Sequence, residues 1–249
     1  MITIKNKEQI AKMRDAGKIV AEVLALLEEH VEPGISTWEL DEIAENYIRK
    51  CNAYPTFKGY GGFPASICAS INEEVVHGIP NRNRILTEGD IISVDVGATF
   101  RGYVGDAART FPVGKISDEN ARLIAVTKQS FFEGFAQAKK GNRLGDISNA
   151  IQRYVERHGY SVIRDLVGHG VGEKMHEDPS VPNYGKKGRG IRLSAGLTIA
   201  VEPMVAAGQY ALIQLADNWT YVTKDGSMAA HYENTFAITD EEPEILTRL

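Results

Sequence analysis

The chain has only two cysteines, Cys51 and Cys68, and no Cys-x-x-Cys pair. That excludes a disulfide framework and a thiolate-rich structural zinc site. A reducing compartment is expected, with a single buried bridge between the two left open. No run approaches the ~20 consecutive apolar residues that a membrane-crossing helix needs. The first residues, Met1-Ile-Thr-Ile-Lys-Asn-Lys-Glu-Gln9, contain no apolar segment of the signal-peptide kind. The expectation is a cytoplasmic protein with no membrane partner. Excess charge of one sign is also small: 28 Lys+Arg face 33 Asp+Glu, for a formal net charge of −5. A nucleic-acid binder usually carries a basic excess, so specific nucleic-acid recognition is not expected. The densest basic run, Lys186-Lys187-Gly188-Arg189, reads as a solvated loop.

What is present is the composition of a globular chain: 43% apolar and 24% charged residues over a length of 249. Disordered, collagen-like and low-complexity classes are excluded, and a chain this long builds a sizeable core. Ile10, Met13, Ile19, Val20, Val23, Leu24 and Leu27 recur at helical spacing, after an Asn6/Gln9 capping box and before Pro33-Gly34. Ser36 and Glu39 open a second helix through Leu40, Ile43, Tyr47 and Ile48. The pattern then returns: a long helix is expected over Ser117–Ala138, and another after Gly141 through Ile147, Ile151, Tyr154 and Val155. Gly34 and Gly141, and Tyr47 and Tyr154, are both separated by 107 residues. Leu86-Thr-Glu-Gly89-Asp-Ile-Ile92-Ser-Val94-Asp95 lies over Leu193-Ser-Ala-Gly196-Leu-Thr-Ile199-Ala-Val201-Glu202 at the same offset of 107. These blocks indicate an internal duplication, two α+β halves of about residues 1–115 and 116–249 in one domain spanning 1–249. Strands are expected at Ile91–Val96, Tyr103–Phe111, Leu197–Val201, Ala211–Leu215 and Tyr232–Ile238. Gly168-x-Gly170-x-Gly172 has neither the spacing nor the strand–turn–helix context of a dinucleotide motif.

Four acids stand in or beside these apolar strands: Asp95, Asp106, Glu202 and Glu233. One alone would be read as an ion pair or a cap. Four with few basic neighbours are costly unless a cation shares the site. His169 is flanked by glycines, which would let a ligand approach the backbone, and His176 follows seven residues later. His30 and His158 lie near helix ends, and His231 is expected on the face of Glu233, as a packing or supporting residue. Four carboxylates and a histidine suit Mn²⁺, Fe²⁺ or Co²⁺, with Zn²⁺ possible. They could hold two such ions roughly 3.5–4 Å apart. Hydrolysis is the natural use of such a pair.

Several segments in this order resemble the methionine aminopeptidases: Ser-Ile-Asn-Glu-Glu-Val-Val-His77-Gly-Ile-Pro, Asp95-Val-Gly, Gly-Asp106-Ala-Ala-Arg-Thr, Gly-His169-Gly-Val-Gly-x-x-x-His176-Glu, Val-Glu202-Pro-Met and Glu233-Asn-Thr. The resemblance covers nearly the whole chain. It implies the α+β "pita-bread" fold, two pseudo-symmetric halves with a curved, mainly antiparallel sheet covered by helices. It implies two divalent ions per chain (Co²⁺, Mn²⁺, Fe²⁺ or Zn²⁺), bridged by Asp106 and Glu233, with Asp95 on one and His169 and Glu202 on the other. It gives Glu202 the proton of the attacking water, His77 a hydrogen bond near the scissile amide, and His176 the carbonyl oxygen. It implies a methionine pocket at Tyr60, Phe63, Cys68, Met175 and Trp219, with Phe57 and Met175 departing from residues common in the family. A small second residue in the substrate is implied as well.

The gaps between His169, Glu202 and Glu233 leave no room for the insertion of the family's second class. The chain also lacks a cysteine-rich N-terminal extension, so it is similar to the short bacterial type of the first class. The partners implied are N-termini of peptides and nascent proteins, with contact at the ribosome and a monomeric state as further expectations. A peptidase cleaving before proline, a silent binding relative and a metal-free amide or amidine hydrolase of this fold are the alternatives. The first usually carries an extra N-terminal domain, and the others lose metal ligands that this chain retains.

Overall fold

Asn6 and Ser36 start the first two helices by one device. Asn6 Oδ1 accepts the Gln9 N–H and Gln9 Oε1 accepts the Asn6 N–H, both at 2.9 Å. Ser36 Oγ accepts the Glu39 N–H at 3.2 Å and Glu39 Oε2 accepts the Ser36 N–H at 2.8 Å. Each pair satisfies two donors that the helix end leaves orphaned. The computed structural model describes residues 1–249. The first half runs α1 (Lys7–His30), α2 (Thr37–Lys50), β1 (Tyr54–Pro55), β2 (Ile67–Ile71), β3 (Glu74–Val76), β4 (Ile91–Phe100) and β5 (Tyr103–Pro112). The second half begins with α3 (Asp118–Phe135), α4 (Leu144–Arg157), β6 (Ser161–Val162), β7 (Gly168–Gly170) and β8 (Glu177–Val181). It continues with β9 (Thr198–Val201), β10 (Met204–Ala206), β11 (Leu212–Gln214), β12 (Tyr221–Thr223), β13 (Ala229–His231), β14 (Asn234–Ala237) and β15 (Glu244–Ile245).

Helix α3 is shorter than expected. Ser117 is its cap, and after Phe135 the chain tightens into i→i+3 bonds, Gln137 N–H to Gly134 O and Ala138 N–H to Phe135 O, each 2.9 Å. Every ladder is antiparallel, in four pieces: β1-β4-β2 with β5 on β4, β15-β14-β9-β7-β8, β13-β10-β6 and β11-β12-β3. The strand expected over Tyr232–Ile238 is shorter, β14 over Asn234–Ala237, and β13 before it belongs to a different sheet. Tyr232 and Glu233 link the two strands, the Tyr232 N–H turning to Pro203 O and the Glu233 N–H to Ala108 O.

The 107-residue spacing recurs in the backbone hydrogen bonds. Gly34 N–H reaches Leu86 O at 2.8 Å, and Gly141 N–H reaches Leu193 O at 2.9 Å. Thr37 N–H reaches Arg84 O at 2.9 Å, and Leu144 N–H reaches Ile191 O at 3.0 Å. One apolar core lies wholly within residues 19–113; a second, around Phe131, Ile147, Ile199 and Phe236, includes Ile91 of the first half and has Ile2 packed on its edge. Helix α1 presses onto β5 where both carry glycine: a Cβ on Gly105 would lie 2.7 Å from Gly17 Cα. That close approach sets the backbone beside Asp106.

Candidate active site

Strand register brings the acids together. Asp95 pairs with Ala108 and Gly97 with Asp106, so Asp95 and Asp106 are diagonal neighbours on one face of the β4–β5 ladder. Asp95 lies in mid-strand, not at the strand end that the sequence suggested, because β4 continues to Phe100. Cys68 pairs with Asp95 from the other side. In the second half His169 pairs with Ala200, and Glu202 lies two residues further along, on the same side by the two-residue period. Asn234 pairs with Val201, which sets Glu233 next to Glu202.

The result is one buried donor cluster. Asp106, His169 and Glu233 each offer a ligand atom, all within 4.8 Å of one another. His169 Nε2 lies 3.4 Å from Asp106 Oδ2 and 3.7 Å from Glu202 Oε1. Asp106 and Glu233 are only 2% and 1% exposed, yet Asp95 Oδ1, Asp106 Oδ1 and Glu233 Oε1 have no hydrogen-bond partner. Burial, and then the neighbouring Asp106, push the carboxyls of Asp95 and Glu233 well above the usual range. Burial likewise raises Glu202 to about 8, against the pull of His169. Burial draws the His169 imidazole down, but Asp106 and Glu202 outweigh it and hold it up at about 9. Orphaned carboxylate oxygens converging in a buried site fit a divalent cation, which supplies the missing counter-charge. His169 Nδ1 is bonded to Gly170 O at 2.9 Å, which leaves Nε2 free for an ion.

The glycines beside His169 do a different job from the one expected. A Cβ on Gly168 would collide with Ala200 O and one on Gly170 with Asp178 O, so both permit strand packing rather than ligand approach. His231 ends β13 and does not share a strand with Glu233; it still reaches both second-half acids, with Nε2 at 3.8 Å from Glu202 Oε2 and 3.9 Å from Glu233 Oε2. His30 and His158 sit at helix ends and bond Leu26 O and Tyr154 O. Cys51 and Cys68 are free thiols.

A cavity of about 240 Å³ opens over the cluster. Tyr60, Phe63, Cys68, His77, His176 and Trp219 all line it, as do Phe57 and Met175. Phe63 and Trp219 meet edge to face at 5.1 Å. Phe57 fits because residue 97 is glycine: a Cβ there would be 2.6 Å from Phe57 Cε1. Tyr60 OH and His176 Nδ1 are 2.8 Å apart, and burial together with His169 lowers the His176 imidazole to about 4. His176 is therefore neutral near neutral pH, and in the tautomer whose Nδ1 accepts the Tyr60 hydroxyl its Nε2–H is the available donor. His77 has φ = +60°, in the left-handed region that side-chain-bearing residues seldom adopt, and burial keeps its imidazole low. The sequence did not single out Val76, Leu166 and Met204 as cavity walls. Nor did it single out Arg109, whose guanidinium donates to Ala108 O, Glu233 O and Asn234 Oδ1. An arginine inside an apolar strand beside Asp106 was the available signal.

Antiparallel halves closing on a carboxylate-rich pocket define a metal-dependent hydrolase of duplicated fold. The model of metallopeptidase family M24 matches residues 11–240. A methionine aminopeptidase of Clostridium acetobutylicum is 62% identical over 247 residues, 99% of each chain. The crystal structure of a methionine aminopeptidase from Thermotoga maritima superposes with TM-score 0.99 at 46% identity, covering 100% of both chains. An X-Pro aminopeptidase from the same organism shares the fold, with TM-score 0.75 and 19% identity, and this chain spans 62% of its length. The chain belongs to metallopeptidase family M24 and, within it, to the methionine aminopeptidases. None of its helices is long and apolar enough to cross a membrane.

Proposed function

We propose that the chain removes N-terminal methionine from peptides and nascent proteins whose second residue is small. The observation that carries this reading is an apolar, aromatic pocket ending on a buried cluster of four carboxylates and one histidine with unpartnered oxygens. Asp95, Asp106, Glu233, His169 and Glu202 would hold two divalent ions, with Co²⁺, Mn²⁺, Fe²⁺ or Zn²⁺ suited to the donor set. When bound, such ions supply hydroxide at neutral pH and polarise a carbonyl.

The remaining work falls to the chain's own side chains. The Glu202 carboxylate receives the proton of the attacking water and passes it to the leaving amine, a role suited to a carboxylate that lines the cavity beside the other proposed ligands. His176 Nε2–H donates to the substrate carbonyl oxygen, strengthening as negative charge develops there. Tyr60 orients that ring through Nδ1. His77 donates to the substrate near the scissile amide. Phe63, Cys68 and Trp219, with Phe57 and Met175, enclose a flexible thioether side chain. All five proposed ligands and both histidines come from one chain, so a monomer suffices. A cytoplasmic place of action, with contact at the ribosome, accords with the substrate proposed.

The test uses chelator-stripped protein with Mn²⁺, Co²⁺ or Fe²⁺ restored, and follows methionine released from Met-Gly, Met-Ala and Met-Lys peptides beside an Ala-Pro peptide. Metal-dependent release before Gly and Ala only is the expected result. Cleavage confined to the proline peptide would overturn the proposal.

A further inference from the structure

A second cavity, of about 510 Å³, opens between α1 and α3 where the two halves meet. No residue that lines it also lines the pocket over the acid cluster. Two structurally equivalent residues build its floor. Arg109 pairs with Val94 on β4, and Asn234 pairs with Val201, which is Val94 shifted by 107 residues, on β9. By the two-residue period both side chains face away from those of Asp106 and Glu233, so the cavity lies behind the acid cluster. Small-molecule sites have volumes of roughly 300–1,000 Å³, and this cavity falls among them.

The floor holds donors that the fold leaves unused. Arg109 Nη1 donates to Ala108 O and Glu233 O, and Nη2 to Asn234 Oδ1, but Nε has no acceptor. Arg109 and Thr247 both donate to Asn234 Oδ1, at 2.8 and 3.0 Å, which makes Nδ2 the free end of that amide. Nδ2 has no acceptor either, although Asn234 is only 1% exposed. Neither nitrogen is sealed in protein, so both open onto the cavity. Charge is unanswered as well. Lys128 and Arg248 stand exposed at the rim. No carboxylate lies within 4.0 Å of Arg109, Lys128 or Arg248, and Glu28 is the one acidic side chain in the lining. The fold does not require the charge of Arg109, since Asn234 holds the equivalent position without one. The walls are apolar, with Leu24 on one side, Ile124 and Phe132 on the other, and the Phe132 ring 6.0 Å from that of Tyr232.

We propose that this cavity is a binding site for a small monocarboxylate with an apolar body, separate from the peptidase site. The guanidinium of Arg109 and the neighbouring amide of Asn234 present two N–H donors to the two oxygens of a planar carboxylate. The carboxylate supplies the counter-charge that Arg109 lacks, in a site partly withdrawn from water, where that attraction is stronger than at the surface. One cation on the floor suits one negative charge; the second charge of a phosphate dianion would be left to the exposed rim side chains, where ion pairs contribute little. Leu24, Ile124 and Phe132 cover the apolar body.

The experiment follows cinnamate by saturation-transfer NMR on full-length, Zn²⁺-loaded protein, beside its neutral isostere cinnamamide. Expected is a Kd of about 0.1–3 mM for cinnamate, with cinnamamide at least about tenfold weaker. Ala25→Trp, which fills the cavity from α1, should abolish cinnamate binding and leave peptide turnover unchanged. K128E/R248E should weaken binding about three- to tenfold, more at low salt, again with unchanged turnover. Arg109→Gln, which keeps an amide donor but no charge, should weaken it at least about tenfold. No binding to the parent would overturn the proposal, as would equal binding by the parent and the Ala25→Trp variant with circular dichroism unchanged. Equal affinity for cinnamate and cinnamamide would overturn it too. So would displacement of cinnamate by free methionine, which would put the carboxylate in the peptidase pocket.

Discussion

Thr110 and Thr235 hold the two halves together through reciprocal hydrogen bonds. Thr110 Oγ1 donates to His231 O and Thr235 Oγ1 donates to Asp106 O, both at 2.9 Å. The two are structural equivalents: Thr110 pairs with Ser93 on β4, and Thr235 with Ala200, which is Ser93 shifted by 107 residues, on β9. The backbones of Asp106 and His231 are thus fixed by the opposite half. Both threonines are buried, so Thr235→Val should leave the Asp106 carbonyl short of a partner and destabilise by about 1–3 kcal/mol. Thr110 also accepts the His231 N–H at 2.9 Å and meets Ser93 Oγ at 2.8 Å, so Thr110→Val should be the more damaging. Urea unfolding of both variants checks the order.

Asp106 is the acid most entangled with the others, since it raises the carboxyls of both Asp95 and Glu233. Asp106→Asn relieves that repulsion in metal-free protein. The variant should melt at or above the parent in chelator, and lose most of the stabilisation that Mn²⁺ confers on the parent. That stabilisation is about 2.7 kcal/mol at a hundredfold excess over Kd. A variant that keeps full metal-induced stabilisation and turnover would contradict the proposed bridging role.

In the metal-free protein the raised carboxyls of Asp95, Glu202 and Glu233 and the raised His169 should give stability an alkaline flank that begins above the ordinary carboxyl range, and the depressed His176 and His231 an acid one. Glu202 holds its proton up to about 8 and His169 up to about 9, each above its ordinary value, so the stability they contribute is complete at low pH and is lost as pH rises through those values. His176 at about 4 and His231 at about 3 are depressed, so their contribution is present above the ordinary histidine value and is lost as pH falls towards 4 and 3. Thermal melts from pH 4 to 9.5 in chelator should show both flanks. Saturating Mn²⁺ should abolish the alkaline one, because an ion replaces the protons.

Tyr60→Phe removes only the hydroxyl that engages His176 Nδ1. Turnover should fall about tenfold with bound metal unchanged, and His176→Ala should fall further, by about 10²–10³. Metal content by mass spectrometry beside kcat on Met-Ala separates this from a ligand role. Loss of metal in step with activity would exclude the assignment.

Much of the site was legible because its residues break local rules. Acids inside the runs Ile-Ile-Ser-Val-Asp95 and Thr-Ile-Ala-Val-Glu202 are costly in apolar strands, and that cost pointed to a cation before any contact was known. The capping boxes at Asn6 and Ser36 were equally clear, since a cap is a contact within four residues. Tyr232–Ile238 misled for the complementary reason. Its composition is that of strand from the first residue, but the partners that draw Tyr232 and Glu233 out of it, Pro203 and Ala108, lie far off in sequence. The glycines beside His169 marked a close approach; which atoms approach was decided by β8 and β9.

The sequence by itself determined the helices, the repeat of 107 residues and the identity of the ionisable groups, because these rest on local periodicity, local capping and residue chemistry. Tertiary structure decided which groups meet. It placed Asp95 diagonal to Asp106, turned His169 and Glu202 to one side, and set Arg109 against the Glu233 carbonyl. It also tied together, at Arg143 and Arg192, two loops more than forty residues apart in the chain. Register and loop pairing depend on contacts between distant segments, and a pattern read along the chain carries their spacing but not their encounter.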